Sequence, residues 1–105
     1  MNKYRLYYQT EETLKVTKMI NIIFLTLESI DKTHVCMFET HADNLDELHA
    51  NMQRENWTAE QLEINLKHLM EFNITHSSLC VGDIVHDCDT DTFYILTMFG
   101  FKEIK

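Results

Sequence analysis

Apolar and aromatic side chains recur at every second position near the start of the chain, at Tyr4, Leu6 and Tyr8. A period of two is typical of a β-strand with one buried face, so this pattern predicts a strand over residues 3–10. A turn is expected at residues 11–12, followed by further strand over residues 14–17 and a buried apolar strand within residues 19–29. Residues 34–40 alternate again and predict another strand, with Val35, Met37 and Glu39 on one side and Cys36, Phe38 and Thr40 on the other.

The spacing changes to that of a helix after residue 43. Asn44 followed by Glu47 has the spacing of a capping box, in which the Asn44 side chain accepts a hydrogen bond from a first-turn amide. This helix is expected to end near Asn56, and its apolar face consists of Leu45, Leu48 and Met52.

A second helix is predicted to begin at Thr58, because Gln61 follows it at capping-box spacing. Trp57 would anchor the joint between the two helices, and Asn73 is a plausible stop. The predicted apolar stripe of this second helix is formed by Leu62, Leu66, Leu69 and Met70.

The last thirty residues predict a hairpin that contains the only two glycines of the chain, Gly82 and Gly100. We expect strands over residues 81–86 and 93–99, a polar connection over residues 87–91 and a bend at Gly100. The second of these strands is nearly all apolar, which favours a central position covered on both faces. Residues 1–105 are therefore predicted to form one α+β domain, a small antiparallel sheet with two helices packed on one face.

The charge is concentrated in the middle of the chain. The 105 residues carry a formal net charge of −8, and residues 39–63 hold seven acidic side chains and one basic side chain. An acidic surface repels nucleic-acid phosphates and anionic membranes, so direct binding to either through this region is not expected. A protein with a basic surface is the partner that this charge favours.

Three cysteines, Cys36, Cys80 and Cys88, form neither a CxxC motif nor an even set. They are expected to be reduced thiols in a cytoplasmic protein. The chain begins without the basic and apolar regions of a secretion signal, and its longest apolar run is shorter than the ~20 residues that span a bilayer.

Two groups of residues are of types that bind metals. Asp87, Asp89 and Asp91 have the spacing that opens a calcium loop, but Thr92 and Met98 occupy the positions where glycine and a chelating glutamate are required. The second group lies within thirteen residues but lacks a standard zinc spacing, and it consists of His76, Cys80, His86 and Cys88.

Catalytic motifs are also lacking. His76 and Ser77 are adjacent on an extended segment, where neighbouring side chains point in opposite directions, and Cys80 is not part of a nucleophile elbow. We therefore expect no enzymatic activity, no cofactor and no metal, although a cryptic metal protein that uses the second group remains an alternative.

The acidic side chains of the predicted helices are the remaining candidates for a site. They lie opposite the leucine stripes and are either a solvated face that keeps a small protein soluble or a contact surface for a basic partner. The residues of this candidate surface are Asp43, Asp46, Glu47, Glu55, Glu60 and Glu63.

Residues 76–85, His-Ser-Ser-Leu-Cys-Val-Gly-Asp-Ile-Val, and residues 99–104, Phe-Gly-Phe-Lys-Glu-Ile, resemble the C-terminal signature of a group of small phage and mobile-element proteins. The ending is also similar to that of YodL-like domains, and residues 42–57 resemble the helix and the Met-Gln-x-Glu-Asn-Trp joint of the phage group. The similarity covers about residues 40–105. This chain departs from the pattern at Cys80, where serine is usual, and in its glycine-free turn at residues 87–91.

YodL-like domains are found alongside anti-restriction proteins, so the resemblance implies an accessory role in a phage or mobile element. From it we expect a small phage protein that binds and modulates a host protein in the bacterial cytoplasm, of an anti-defence kind such as anti-restriction or anti-CRISPR. The signature itself is interpreted as specifying the fold. The alternative is a self-associating module, in which a sheet edge or the aromatic strand at residues 3–10 forms a symmetric dimer.

Overall fold

The structure is a computed structural model that describes residues 1–10 and 33–104. The turn at residues 11–12 and the strands expected over residues 14–17 and 19–29 lie outside the described residues. The described elements are β1 (Asn2–Gln9), β2 (His34–Ala42), α1 (Leu45–Asn51), a 3₁₀ helix (Arg54–Asn56), α2 (Ala59–Glu71), β3 (Ile84–Asp87), β4 (Thr92–Thr97) and β5 (Gly100–Ile104).

Within the described residues the sheet has five strands in the order β2-β1-β3-β4-β5, and every neighbouring pair is antiparallel. The α+β class is thus confirmed. β1 pairs on both sides, so β2 and β5 are the edge strands of this sheet. The aromatic strand at the start of the chain is consequently not free to pair with a second copy through its edge.

The two helices pack on one face of the sheet, as predicted. Alternate residues of β1, with Val85 and Leu96 from β3 and β4, meet Leu48, Met52 and Leu69 from the helices in one buried cluster. The helix stripe differs from its prediction at Met70, which is 75% exposed. Met70 is one residue, about 100°, around the helix from buried Leu69, and Ile74 fills the core just beyond the helix instead.

The predicted alternation in β2 is wrong because of a β-bulge. Leu6 pairs with Phe38 and Tyr7 pairs with Cys36, so Met37 is an extra residue without a partner on β1. The bulge moves Phe38 onto the helix face with Val35 and moves Glu39 onto the opposite face. The Nε2 atom of His68 on α2 lies 2.8 Å from the carbonyl oxygen of Met37, which gives this displaced peptide a hydrogen bond.

Local side-chain hydrogen bonds define both helix starts. Asn44 Oδ1 accepts from the backbone N–H of Glu47 at 2.8 Å, and Thr58 and Gln61 form a complete capping box. α1 is shorter than expected and ends at Asn51, where the backbone carbonyl accepts from Trp57 Nε1 at 3.0 Å. No helix in residues 1–10 and 33–104 combines the length and the apolar character needed to cross a membrane.

The C-terminal hairpin has the predicted bend at Gly100, whose φ is +105°, but the bounds of its strands differ from the prediction. β3 begins at Ile84 rather than at residue 81, because the preceding residues turn at Gly82, whose φ is +96°. A Cβ atom at this glycine would lie 2.5 Å from Gln9 Oε1, so a larger residue would have to displace the buried Gln9 side chain as well as adopt the positive φ. β4 ends at Thr97 and lies next to an edge, and Met98 and Phe99 form the turn before Gly100.

Candidate functional site

An open hollow of about 610 Å³ lies on the helix face of the sheet, beside the start of α1. The start of α1 forms one side of the hollow, and residues of β1, β3, β4 and β5 form the rest. We call it the acidic hollow, and it is lined by Asn2, Tyr4, Asp43, Asn44, Leu45, Asp46, Asp87, Tyr94, Phe99, Gly100 and Phe101.

Aromatic rings supply the apolar part of the acidic hollow. Tyr94 and Phe101 project from β4 and β5, and Phe101 also packs against the core and against the ring of His49 on α1. Phe99 stands at the rim in the β4–β5 turn and is 98% exposed. This ring contributes almost nothing to the core, so its whole face is available for contact with a second molecule.

Three carboxylates supply the charge. Asp43 and Asp46 flank the N-cap of α1 and are exposed, whereas Asp87 at the end of β3 is 5% exposed. Asp87 accepts hydrogen bonds from the Asn2 side chain and from the backbone amides of residues 89 and 90, but none of these donors is a cation. Among the described residues that line the hollow, neither lysine nor arginine occurs.

Tyr4 lines the same hollow, and its pKa is raised above the ordinary value. Burial is the larger cause, and the negative charge of Asp87 raises the pKa further. Within residues 1–10 and 33–104, the cationic group that pairs with Asp43 is the N-terminal ammonium, 3.9 Å away and itself exposed. The described lining of this open hollow therefore has three carboxylates and no lysine or arginine, and such a lining attracts a basic group from outside.

The structure separates the six carboxylates of the candidate surface. Asp43 and Asp46 line the acidic hollow, while Glu47 is half-buried and uses Oε2 to accept from the backbone N–H of Asp43 at 3.1 Å. Glu55 on the 3₁₀ helix and the exposed glutamates of α2, Glu60 and Glu63, do not line it. Only two of the six carboxylates, Asp43 and Asp46, therefore line the acidic hollow.

A second cleft of about 380 Å³ lies between the β2 edge and the helices. Its side-chain amides include Asn56, which donates to the carbonyl of Ala50, and Gln61, which is part of a cap. Its one carboxylate, Glu39, is paired with Lys3 at 2.6 Å. Because its charge is already paired, this cleft is a weaker candidate than the acidic hollow.

The two histidines and two cysteines considered as metal ligands lie in two separate parts of the fold. His76 pairs with Asp83, its Nε2 lying 3.0 and 2.9 Å from the two carboxylate oxygens, while Cys80 donates from Sγ to the carbonyl of Ser78. His86 and Cys88 lie instead on the β3–β4 hairpin. In residues 1–10 and 33–104 no group of three or more His, Cys, Asp or Glu side chains is arranged to hold a metal ion.

The first of these contacts belongs to the core. Asp83 is 0% exposed and also accepts from the backbone amides of Gln9 and Cys80, at 2.9 and 2.8 Å. The His76 ring stacks on Tyr8, and its buried Nδ1 has no hydrogen-bond partner among the described residues. Asp83 thereby ties the loop before β3 to the end of β1, and this interaction is structural.

The aromatic members of the acidic hollow are not indicated by the sequence pattern, in which residues 93–99 predict a strand that includes Phe99. Asp87 is predicted in the polar connection and as part of a calcium-like spacing. Its place in the hollow depends on the pairing of β3 with β1, and no local pattern indicates that pairing.

No protein-family model matches the chain, and no curated protein or solved structure matches it either.

Proposed function

We propose that this protein is a small phage accessory protein that binds a host protein with a basic surface and modulates it in the bacterial cytoplasm. The target would be a defence or nucleic-acid-handling protein, so the protein would be of an anti-restriction or anti-CRISPR kind. The proposal is for a binding protein without catalytic activity. The sequence signature supports the phage context, and the acidic hollow supports the mode of binding.

The observation that carries the proposal is the exposed ring of Phe99 in a hollow whose described lining has three carboxylates and neither lysine nor arginine. Interfaces typically gain most of their binding free energy from a few aromatic or arginine residues, and charges at the rim chiefly increase the association rate. Phe99 would be the apolar anchor here. Asp43 and Asp46 would attract lysine or arginine side chains of the partner.

The carboxylates of α2 provide a matched comparison. The double variants Asp43→Asn/Asp46→Asn and Glu60→Gln/Glu63→Gln remove the same charge, one inside the acidic hollow and one outside it. A partner is first captured from a bacterial lysate and purified, and its affinity for wild-type protein, for both double variants and for Phe99→Ser is then measured by calorimetry.

We expect the Asp43/Asp46 double variant to weaken binding about tenfold or more, and Phe99→Ser to weaken it by a similar factor. The Glu60/Glu63 variant should bind almost as wild type. Affinity should also fall as salt is raised, because exposed charges are screened. If binding is insensitive to salt and to both hollow variants, the partner does not use this surface.

The self-associating module remains the second candidate, because β2 is a nine-residue strand at the sheet edge within the described residues. Unpaired edges can join two copies of a chain. Light scattering of the pure protein over a range of concentrations distinguishes a monomer from a dimer. A concentration-independent monomer would exclude this candidate.

A further inference from the structure

The β3–β4 hairpin brings together a thiol, an imidazole and a carboxylate that the proposed binding function does not use. Cys88 Sγ lies 3.8 Å from His86 Nδ1, and His86 Nε2 lies 2.8 Å from Asp91 Oδ1. A nucleophile beside a base, with that base oriented by a third group, is the arrangement that activates nucleophiles in enzymes.

The carboxylate determines which nitrogen of the imidazole is the base. A carboxylate oxygen can only accept a hydrogen bond, so the proton of neutral His86 resides on Nε2 and is donated to Asp91. Nδ1 then carries the lone pair and faces the thiol of Cys88. The thiol lies 3.8 Å from this nitrogen and 3.8 Å from the carbonyl oxygen of His86, so it is placed to pass its proton to Nδ1 when the sulfur reacts.

Two further features hold the imidazole in place. Its ring stacks on Phe93 with centroids 4.0 Å apart and an interplanar angle of 8°. Asp91 has a φ of +52°, in the left-handed region that aspartate tolerates better than most residues, and this turn conformation brings its side chain to the imidazole. Cys88 is anchored by its backbone N–H, which donates to the carbonyl of Lys3 at 2.9 Å.

Within the described part of the chain, neither of the other two thiols is hydrogen-bonded to a histidine, and Cys80 Sγ donates to the carbonyl of Ser78. Burial is the main cause that raises the pKa of the Cys80 thiol, and Asp83 raises it further. Desolvation likewise raises the pKa of the Cys36 thiol, although that residue as a whole is exposed on β2. Exposure alone would make Cys36 the most reactive thiol, whereas the neighbouring base favours half-buried Cys88.

We propose that Cys88 is a site of reversible S-thiolation by low-molecular-weight disulfides, with His86 as its base and Asp91 as the residue that positions the base. The Cys88 sulfur attacks one sulfur of the disulfide, and its proton passes to His86 Nδ1. A new S–S bond forms, the old one breaks, and the leaving thiolate takes the proton from the imidazole. The incoming disulfide is the oxidant, so one protein thiol is oxidised and one small thiol is released.

The test compares single-thiol proteins under native conditions. One carries Cys36→Ser and Cys80→Ser and retains Cys88, and the other carries Cys80→Ser and Cys88→Ser and retains Cys36. Each is incubated with oxidised glutathione, and the rate of mixed-disulfide formation is measured by intact-protein mass spectrometry. We expect Cys88 to react about tenfold or more faster than Cys36, a smaller factor than the hundredfold or more that a positioned base gives in an enzyme.

Two substitutions in the Cys88 protein test the cause. His86→Gln removes the base and should reduce the rate to about that of Cys36. Asp91→Gly removes the carboxylate but accepts the positive φ, and it should give an intermediate rate. In denaturant the two single-thiol proteins should react at similar rates, because the contact between thiol and imidazole depends on the folded hairpin.

Each of three results would overturn the proposal. The first is a Cys36 rate equal to or above that of Cys88 in the folded proteins. The second is an unchanged Cys88 rate in His86→Gln when circular dichroism shows that this variant is folded. The third is a difference between the two thiols that persists in denaturant.

Discussion

Replacing the buried carboxylate of Asp83 with an amide should be among the most damaging single substitutions in the described part of the chain. Asp83 is 0% exposed and accepts hydrogen bonds from the backbone amides of Gln9 and Cys80 and from His76 Nε2. Asp83→Asn keeps the size of the side chain but replaces one accepting oxygen with an NH₂ group, which can only donate.

The cost follows from the contacts that are lost. One buried backbone N–H then faces a donor instead of an acceptor, and an unsatisfied buried donor costs about 1–3 kcal/mol. The hydrogen bond from the imidazole loses its charged acceptor, and bonds to charged groups contribute about 1.5–3 kcal/mol. We therefore expect Asp83→Asn to lower the free energy of unfolding by about 3–5 kcal/mol.

Urea denaturation followed by circular dichroism measures this difference. The matched control is Asp89→Asn, which removes the same charge from an exposed side chain whose Oδ2 accepts from the Lys3 backbone N–H at 3.1 Å. The control should lower the free energy of unfolding by less than about 1 kcal/mol, as is usual for exposed positions. Equal effects of the two substitutions would refute the structural role given to Asp83.

Three further predictions concern glycine, pH and the exposed aromatic ring. Gly82→Ala should destabilise the protein by about 2–4 kcal/mol, through its positive φ and its clash with Gln9, whereas Gly100→Ala should cost about 1 kcal/mol, because only its φ is unfavourable; equal losses in urea titrations would contradict this. Burial lowers the pKa of His34 in the folded protein below its ordinary value of 6.5. Neutral His34 therefore contributes its full stability above pH 6.5, and this contribution is lost as the pH falls through the lowered pKa of the folded protein. Urea titrations between pH 8 and pH 5 should show this loss in wild type and a smaller one in His34→Gln, and identical slopes would argue against it. Phe99→Ser should change the free energy of unfolding by less than about 0.5 kcal/mol, since the ring is 98% exposed, and a larger loss would mean that Phe99 supports the fold.

Features that depend on a few neighbouring residues could be predicted from the sequence. The caps at Asn44 and Thr58 follow from side chains three residues apart, and the structure confirms both. The α+β class follows from the change between two-residue and helical spacing along the chain. The β2 bulge could not be predicted, because Met37 is displaced by the pairing of β2 with β1.

The acidic hollow is likewise formed by residues that are distant in sequence, so local sequence patterns do not reveal it. Asp43 and Phe99 are far apart in sequence, and both line the hollow because the fold places the β4–β5 turn near the start of α1. The sequence identified the carboxylates of the helices as a group, but it could not separate Asp46, which lines the hollow, from Glu60 and Glu63, which do not. That separation requires the strand order, and composition and spacing do not determine it.

The C-terminal signature combines positions that the fold requires with one that it does not. Gly82 and Asp83 are buried and are tied to β1 through a close approach and a hydrogen bond, so their substitution should act on stability. Phe101 packs against the core from the edge strand. Phe99 lies two residues before it and buries almost none of its ring, so the stability of the described fold gives no reason for an aromatic residue there. Stability and binding should therefore be separable within this one hairpin, and a variant that keeps its unfolding free energy while losing its partner identifies the residue that acts outside the fold.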